Sequence, residues 1–279
     1  MPDLVEHRIL AALKLVDAVT QLPLNRKLDI QPAQLRLSPP EKGEVSLIYK
    51  TGGVVIVRDA PGFFLYTHSF LPGPDDPVLS SRRLDLNIFD PELKYLPRVL
   101  HLDLPRRPTF GQPDSVFDPL AVALFPAPAA RTELSWALVR ACVRPAASPD
   151  ERLPWALVRV LKHADDSLLA VGQADARGEI LLVAPGLLFA MPSESAAATL
   201  TKTIEVHFET RFDPNLARIK DKDLREGRAV IDARYIPDPA TLAVGPPHAT
   251  TLKTGAAPLS ATGSLAAGQT LSGDLLVAG

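Results

Sequence analysis

Apolar and polar positions alternate with a period of two along much of this chain. Leu84, Leu86 and Ile88 alternate with Asp85 and Asn87, and Leu100, Leu102 and Leu104 alternate with His101 and Asp103. Ile204, Val206 and Phe208 do the same against Glu205, His207 and Glu209. Successive side chains of a strand point to opposite faces, so each segment predicts a strand with one buried face. Apolar or β-branched runs at Ile9–Val16 and Val54–Val57 predict strands covered more completely. A helical pattern is available over Leu4–Leu15, and the strand from about Ile9 is the better reading. Phe-Asp-Pro occurs at Phe89–Pro91, Phe117–Pro119 and Phe212–Pro214. Asp before Pro opens a turn, and each Phe is expected to close the preceding strand into the core. The pattern predicts an all-β chain.

Composition narrows this further. A chain of 279 residues suggests two domains at roughly 150 residues each. Proline, at 28 residues, is about twice as frequent as usual, which cuts the chain into short elements and argues against long helical bundles and doubly wound sheets. The formal charge of −2 excludes a general electrostatic grip on nucleic acid or an anionic membrane. The N-terminal residues Met1–Arg8 carry both signs of charge where a signal peptide is apolar, and proline or glycine interrupts runs such as Ile180–Phe189. These features predict no membrane insertion and a cytoplasmic location. One cysteine, Cys142, cannot form an intrachain disulfide, and its apolar setting predicts a buried structural thiol.

An internal repeat suggests the domain organisation. Leu22-Pro23-Leu24 follows the first strand and Leu153-Pro154-Trp155 follows the strand at Trp136–Val143. Downstream of each comes Ala-Pro-Gly, at Ala60–Gly62 and Ala184–Gly186, and then an apolar or aromatic run. Similar order at similar offset suggests two copies of one sandwich module, at 1–125 and 131–239, joined by the proline-rich Phe125–Ala130.

Leu153–Val160, Asp175-Ala-Arg-Gly178 and Ala184-Pro-Gly186 resemble the carboxypeptidase-regulatory-like and transthyretin-like sandwiches. That resemblance implies a small Ig-like β-sandwich with a hairpin turn at Asp175–Gly178. This chain departs from the pattern at Trp155 and Gln21, where those modules commonly have glycine. A second resemblance rests on Leu15–Thr20, Arg58–Gly62, Tyr95-Leu-Pro-Arg98, Leu104-Pro-Arg106 and Asp175–Glu179. These segments resemble sandwich proteins that accompany contractile, phage-tail-like injection systems. The likeness implies a baseplate, collar, cap or sheath-associated component assembled in the cytoplasm.

Residues 240–279 have no aromatics and only Lys253 and Asp274 as charges, with Ala, Gly, Thr, Ser and Leu predominating. Such a segment is too poor in large apolar groups to form its own core. It predicts a low-complexity arm that adds to a neighbouring subunit, with Leu271, Leu275, Leu276 and Val277 as the partner-contact residues. The mixed-charge run Arg218–Arg228 reads as a solvated loop or one short helix.

No phosphate-binding glycine loop, zinc-protease motif, paired Cys-x-x-Cys or nucleophile elbow appears in the sequence. Glu205, His207 and Glu209 share a strand face but span nearly 14 Å at about 3.4 Å per residue, too far for one ion. His101 with Asp103, and Asp165-Asp166, read as polar faces and turn formers, and His68 beside Tyr66 and Phe70 as a packed strand-end histidine. Trp136 and Trp155 fall in core-like strands. Catalytic residues, cofactors and metals are therefore not expected. The expected function is structural: contacts with other subunits of a particle, possibly copies of the chain itself. The alternative is a glycan- or surface-binding sandwich using loops such as Leu71–Pro77.

Overall fold

The computed structural model describes residues 8–34, 45–50, 53–58, 79–80, 82–104, 106–107, 109–112, 114–186, 203–228, 236–255 and 260–278. The fold is all-β, built from several sheets in a sandwich-like or barrel-like arrangement. Two compact units divide the chain. Unit 1 takes residues 1–17, 21–91 and 97–124; unit 2 takes 125–279 together with 18–20 and 92–96. The predicted loop Leu71–Pro77 and the residues Tyr66, His68 and Phe70 lie outside the described residues.

Unit 1 contains β1 (Arg8–Asp17), β2 (Asp29–Gln34), β3 (Val45–Lys50), β4 (Gly53–Arg58), β5 (Arg82–Phe89), β6 (Arg98–Leu104) and β7 (Leu120–Leu124). One sheet has the order β3-β4-β1-β7 and the other β2-β5-β6. The alternating positions behave as the pleat requires. Leu84, Leu86, Ile88, Leu100, Leu102 and Leu104 are all buried. Polar partners meet across the opposite face, with His101 opposite Asp85 and Arg83 opposite Asp103 in the β5–β6 register.

The same parity corrects the expectation for Phe-Asp-Pro. With Ile88 inward, Phe89 must point out, and it is exposed. Asp90 then turns inward, buried and paired with Arg26 Nη1 at 3.0 Å. Phe117 is exposed too, whereas Phe212 packs against the core of unit 2.

Unit 2 contains β8 (Ala137–Pro145), β9 (Glu151–Arg152), β10 (Leu157–Lys162), β11 (Leu168–Gln173), β12 (Glu179–Ala184), β13 (Ile204–Arg211), β14 (Ile219–Lys220), β15 (His248–Lys253), β16 (Thr262–Leu265) and β17 (Thr270–Val277). Two five-residue helices, α1 (Asp221–Arg225) and α2 (Pro239–Ala243), complete it. The main sheet runs β11-β10-β13-β15-β17-β8-β12, with β16 also on β13, and β9 pairs with β14. Alternate residues of β12 serve two cores. Ile180, Leu182 and Ala184 face the main cluster, while Leu181 and Val183 pack with Ala130, Leu138 and Trp136. This two-sided burial explains why the strand reads as a continuous apolar run.

The two units repeat one pairing scheme. The opening strand of each, β1 or β8, takes an antiparallel partner (β4 or β12) on one side and a parallel partner (β7 or β17) on the other. A trio follows in each, β2-β5-β6 and β10-β13-β15. The units differ elsewhere: β3 pairs with β4 but β11 with β10, and β15 pairs with β17, joining into one sheet what unit 1 keeps as two. Gln21 and Trp155, which follow the opening strand of each unit's motif, share a backbone feature, since both sit at φ 59°. That left-handed conformation is one glycine adopts without penalty.

The expected C-terminal arm is instead the closing part of unit 2. β17 lies inside the sheet, parallel to β8 and antiparallel to β15. Leu275, Leu276 and Val277 are buried and Leu271 packs at the margin of the same core. They make contacts within this chain. The segment needs no core of its own, because Leu275 and Val277 enter one already lined by Val139, Ala141 and Val143. Its small residues answer a spatial need: a Cβ at Gly273 would stand 2.3 Å from the carbonyl oxygen of Lys253.

Two substitutions test this placement by urea denaturation. Leu275→Ala is expected to cost about 2–5 kcal/mol, as for other fully buried leucines. Gly273→Ala, which forces β15 and β17 apart, is expected to cost about 3 kcal/mol. In a free arm both would be near neutral.

Candidate interaction surfaces

The charged run Arg218–Arg228 forms a short helix, but its first residue is not solvated as expected. Asp221 accepts hydrogen bonds from Arg152 Nε at 2.6 Å and Arg144 Nη1 at 2.9 Å, using one carboxylate oxygen for each. Arg144 also donates through Nε to Asp274 at 2.8 Å and through Nη1 to the Pro149 carbonyl. Arg152 Nη1 reaches Glu179 at 3.1 Å. These ion pairs join β8, β9, β12, α1 and β17 through side chains up to 130 residues apart in sequence. Burial pushes the Asp221 carboxyl up, but hydrogen bonds from Arg152 and then Arg144 outweigh it and hold the group below its ordinary value.

Cys142 lies one pleat before Arg144 on β8. It is half-buried, not buried as expected. Desolvation raises its thiol pKa despite the opposing charges of Arg152 and Arg144, so it lacks the thiolate character of a reactive cysteine.

Beside this network is a cleft of about 400 Å³. Arg152, Asp221 and Glu179 line it, with Arg177 from the β11–β12 turn and Leu224, Arg225 and Gly227 from α1 and its end. The turn is tightly specified. The Asp175 carboxylate accepts from the backbone N–H groups of Arg177 at 2.8 Å and Glu179 at 2.9 Å. Gly178 adopts φ 75°, and a Cβ there would stand 3.0 Å from Cβ of Arg152.

In unit 1, the loop between β6 and β7 presents two aromatic rings. Phe110 is 83% exposed and Phe117 57%, with ring centroids 6.4 Å apart and planes at 59°. The loop backbone is pinned by Arg107 N–H to the Asp114 carbonyl, Val116 N–H to the Arg107 carbonyl and Asp118 N–H to the buried Ser115. The Ser115 hydroxyl accepts from Phe117 N–H, and Arg106 donates to the Asp118 carbonyl.

The remaining predicted polar residues are dispersed. Glu209 pairs with Arg159 at 3.2 Å. His207 faces Asp166 at 3.5 Å and the edge of His163, leaving its Nδ1 without a hydrogen-bond partner among the described residues. Glu205 lies opposite Ser264. His101 Nδ1 meets Asp85 at 2.6 Å. Asp165 forms a turn: the Ser167 hydroxyl, the Lys162 ammonium and the Ser167 N–H lower its carboxyl to about 2. No group of three or more His, Cys, Asp or Glu among the described residues is placed to hold a metal ion. No described helix is long and apolar enough to cross a membrane.

No family model matches this chain, and no curated protein does. Among solved structures, it is similar at 10% identity to one described as the structure of the Streptococcal ancillary pilin, covering 98% of this chain and 69% of that one. The TM-score is 0.22, too low for the likeness to bear on fold or function.

The ion-pair network predicts a specific pH response. Asp221→Asn removes the charge shared by Arg144 and Arg152 and should cost about 2–3 kcal/mol at neutral pH. Because the folded pKa of Asp221 is depressed, its contribution is complete above the unfolded value of about 3.9 and is lost as pH falls through the folded value. Denaturation curves for the wild type and Asp221→Asn should therefore differ by a constant amount at neutral pH and converge in acid.

Proposed function

We propose that this protein is a non-catalytic assembly component of a large particle, with its tandem sandwiches as rigid framework and the β6–β7 loop as a contact surface. The observation that carries this reading is the pair of exposed phenylalanines on a pinned backbone. Rings held in water by a fixed loop contribute little to the fold, while buried aromatic anchors dominate protein interfaces. A pinned loop also loses little conformational entropy on docking.

The finer assignment, to a contractile phage-tail-like particle assembled in the cytoplasm, draws on the sequence resemblance. Its motifs Tyr95–Arg98 and Asp175–Glu179 lie among the described residues. Tyr95 bridges to Pro126, and Leu96 packs with Phe125, Leu157 and Leu242. Arg98 donates to the Ala123 carbonyl, and Asp175–Gly178 makes the β11–β12 turn. The glycan-binding alternative draws on the same two rings, but their 59° tilt makes no single flat stacking platform.

Gradient sedimentation of lysates from cells that make such a particle tests the assignment. The tagged full chain is expected in the particle fraction at fixed stoichiometry. Phe110→Ala/Phe117→Ala should reduce that fraction by about ten-fold while changing stability by no more than about 0.5 kcal/mol. A wild-type chain that sediments only as free protein beside intact particles overturns the reading.

A further inference from the structure

The cleft beside Asp221 has a charge surplus that the fold does not consume. Three guanidinium groups, from Arg152, Arg177 and Arg225, face two carboxylates, from Asp221 and Glu179. Arg152 is committed, with Nε on Asp221 and Nη1 on Glu179. Asp221 is committed as well, since Arg144 and Arg152 take its two oxygens. The side chain of Arg177 makes no hydrogen bond or close salt bridge among the described residues and meets only the longer-range field of Asp175, and Arg225 makes only a long 3.4 Å contact from Nε to the Asp221 carbonyl. Both residues are exposed. Their supports are ordered: Arg177 by the Asp175 turn and Arg225 by α1, which Asp221 anchors.

We propose that this cleft receives a carboxylate side chain from an acidic peptide segment of a partner protein, gripped between Arg177 and Arg225. Two guanidinium forks match the two oxygens of a carboxylate. Leu224 gives the same cleft an apolar wall that the methylene stem of a glutamate or aspartate covers and an inorganic anion leaves bare. Glu179, which also lines the cleft, is paired with Arg152 and sets a modest repulsion that limits affinity. The proposal does not depend on the particle assignment, because its test uses the isolated full chain.

Fluorescence anisotropy with a fluorescein-labelled tetraglutamate peptide is the test, at about 50 mM salt to limit screening. Saturable binding is expected, with none for a tetralysine peptide. Arg177→Ala/Arg225→Ala should weaken it about ten-fold without moving the thermal midpoint. Glu179→Gln, which retains an acceptor for Arg152 while removing a charge, should tighten binding about three-fold. The proposal is overturned if the wild type does not bind the peptide, or if the double variant binds it equally well. It is also overturned if Glu179→Gln weakens binding, or if inorganic phosphate displaces the peptide at equal concentration, which would make the cleft a free-anion site.

Discussion

In unit 2, β17 is hydrogen-bonded along both edges, parallel to β8 and antiparallel to β15. Its removal would divide the main sheet into a β12–β8 pair and a set led by β15, and would open the core at Leu275 and Val277. The arginine network reinforces the same junction. Arg144 extends from β8 to Asp274 on β17 and to Asp221 on α1, so backbone and side-chain bonds tie together the same distant parts of the chain. Unit 1 shares the parallel pairing, with β7 beside β1, but there β7 is the end strand of its sheet. A parallel neighbour cannot be supplied by a tight hairpin, so in both units the closing strand arrives only after the intervening strands have been laid down.

Most strands were legible because alternation is a local signal. The positions of Leu84, Leu86 and Ile88 suffice to assign a face without knowing what covers it. The tail reads as an arm because its signal is spatial. Gly273 looks like weak composition until the Lys253 carbonyl is placed 2.3 Å from where its Cβ would be. Parity explains the error at Phe89: the turn signal was sound, but the ring follows the pleat, leaving Asp90 to occupy the interior with Arg26.

The candidate sites were less legible still. Asp221 lies within a mixed-charge run, and only the fold brings Arg144 and Arg152 to it from 77 and 69 residues away. Phe110 carries no sequence mark that separates an exposed ring from a core ring. The pattern of unspent charge is equally hidden. Arg144, Arg152, Arg177 and Arg225 look alike in sequence, and the structure divides them into two that brace the fold and two that line a cleft with donors to spare. An arginine's chemistry is set here by how many of its donors the fold has already used.

The β8–β17 junction also has a temporal consequence. Leu138 pairs with Thr270, so an edge of β8 has to wait while some 130 further residues are made. At ordinary rates of synthesis that interval is roughly ten seconds, long compared with the folding of local hairpins. During it, Val139, Ala141 and Val143 belong to a strand whose inner neighbour does not yet exist. The second unit is therefore most vulnerable to aggregation as a nascent chain. Its last strand acts as a late-arriving wedge that turns two partial sheets into one continuous sheet.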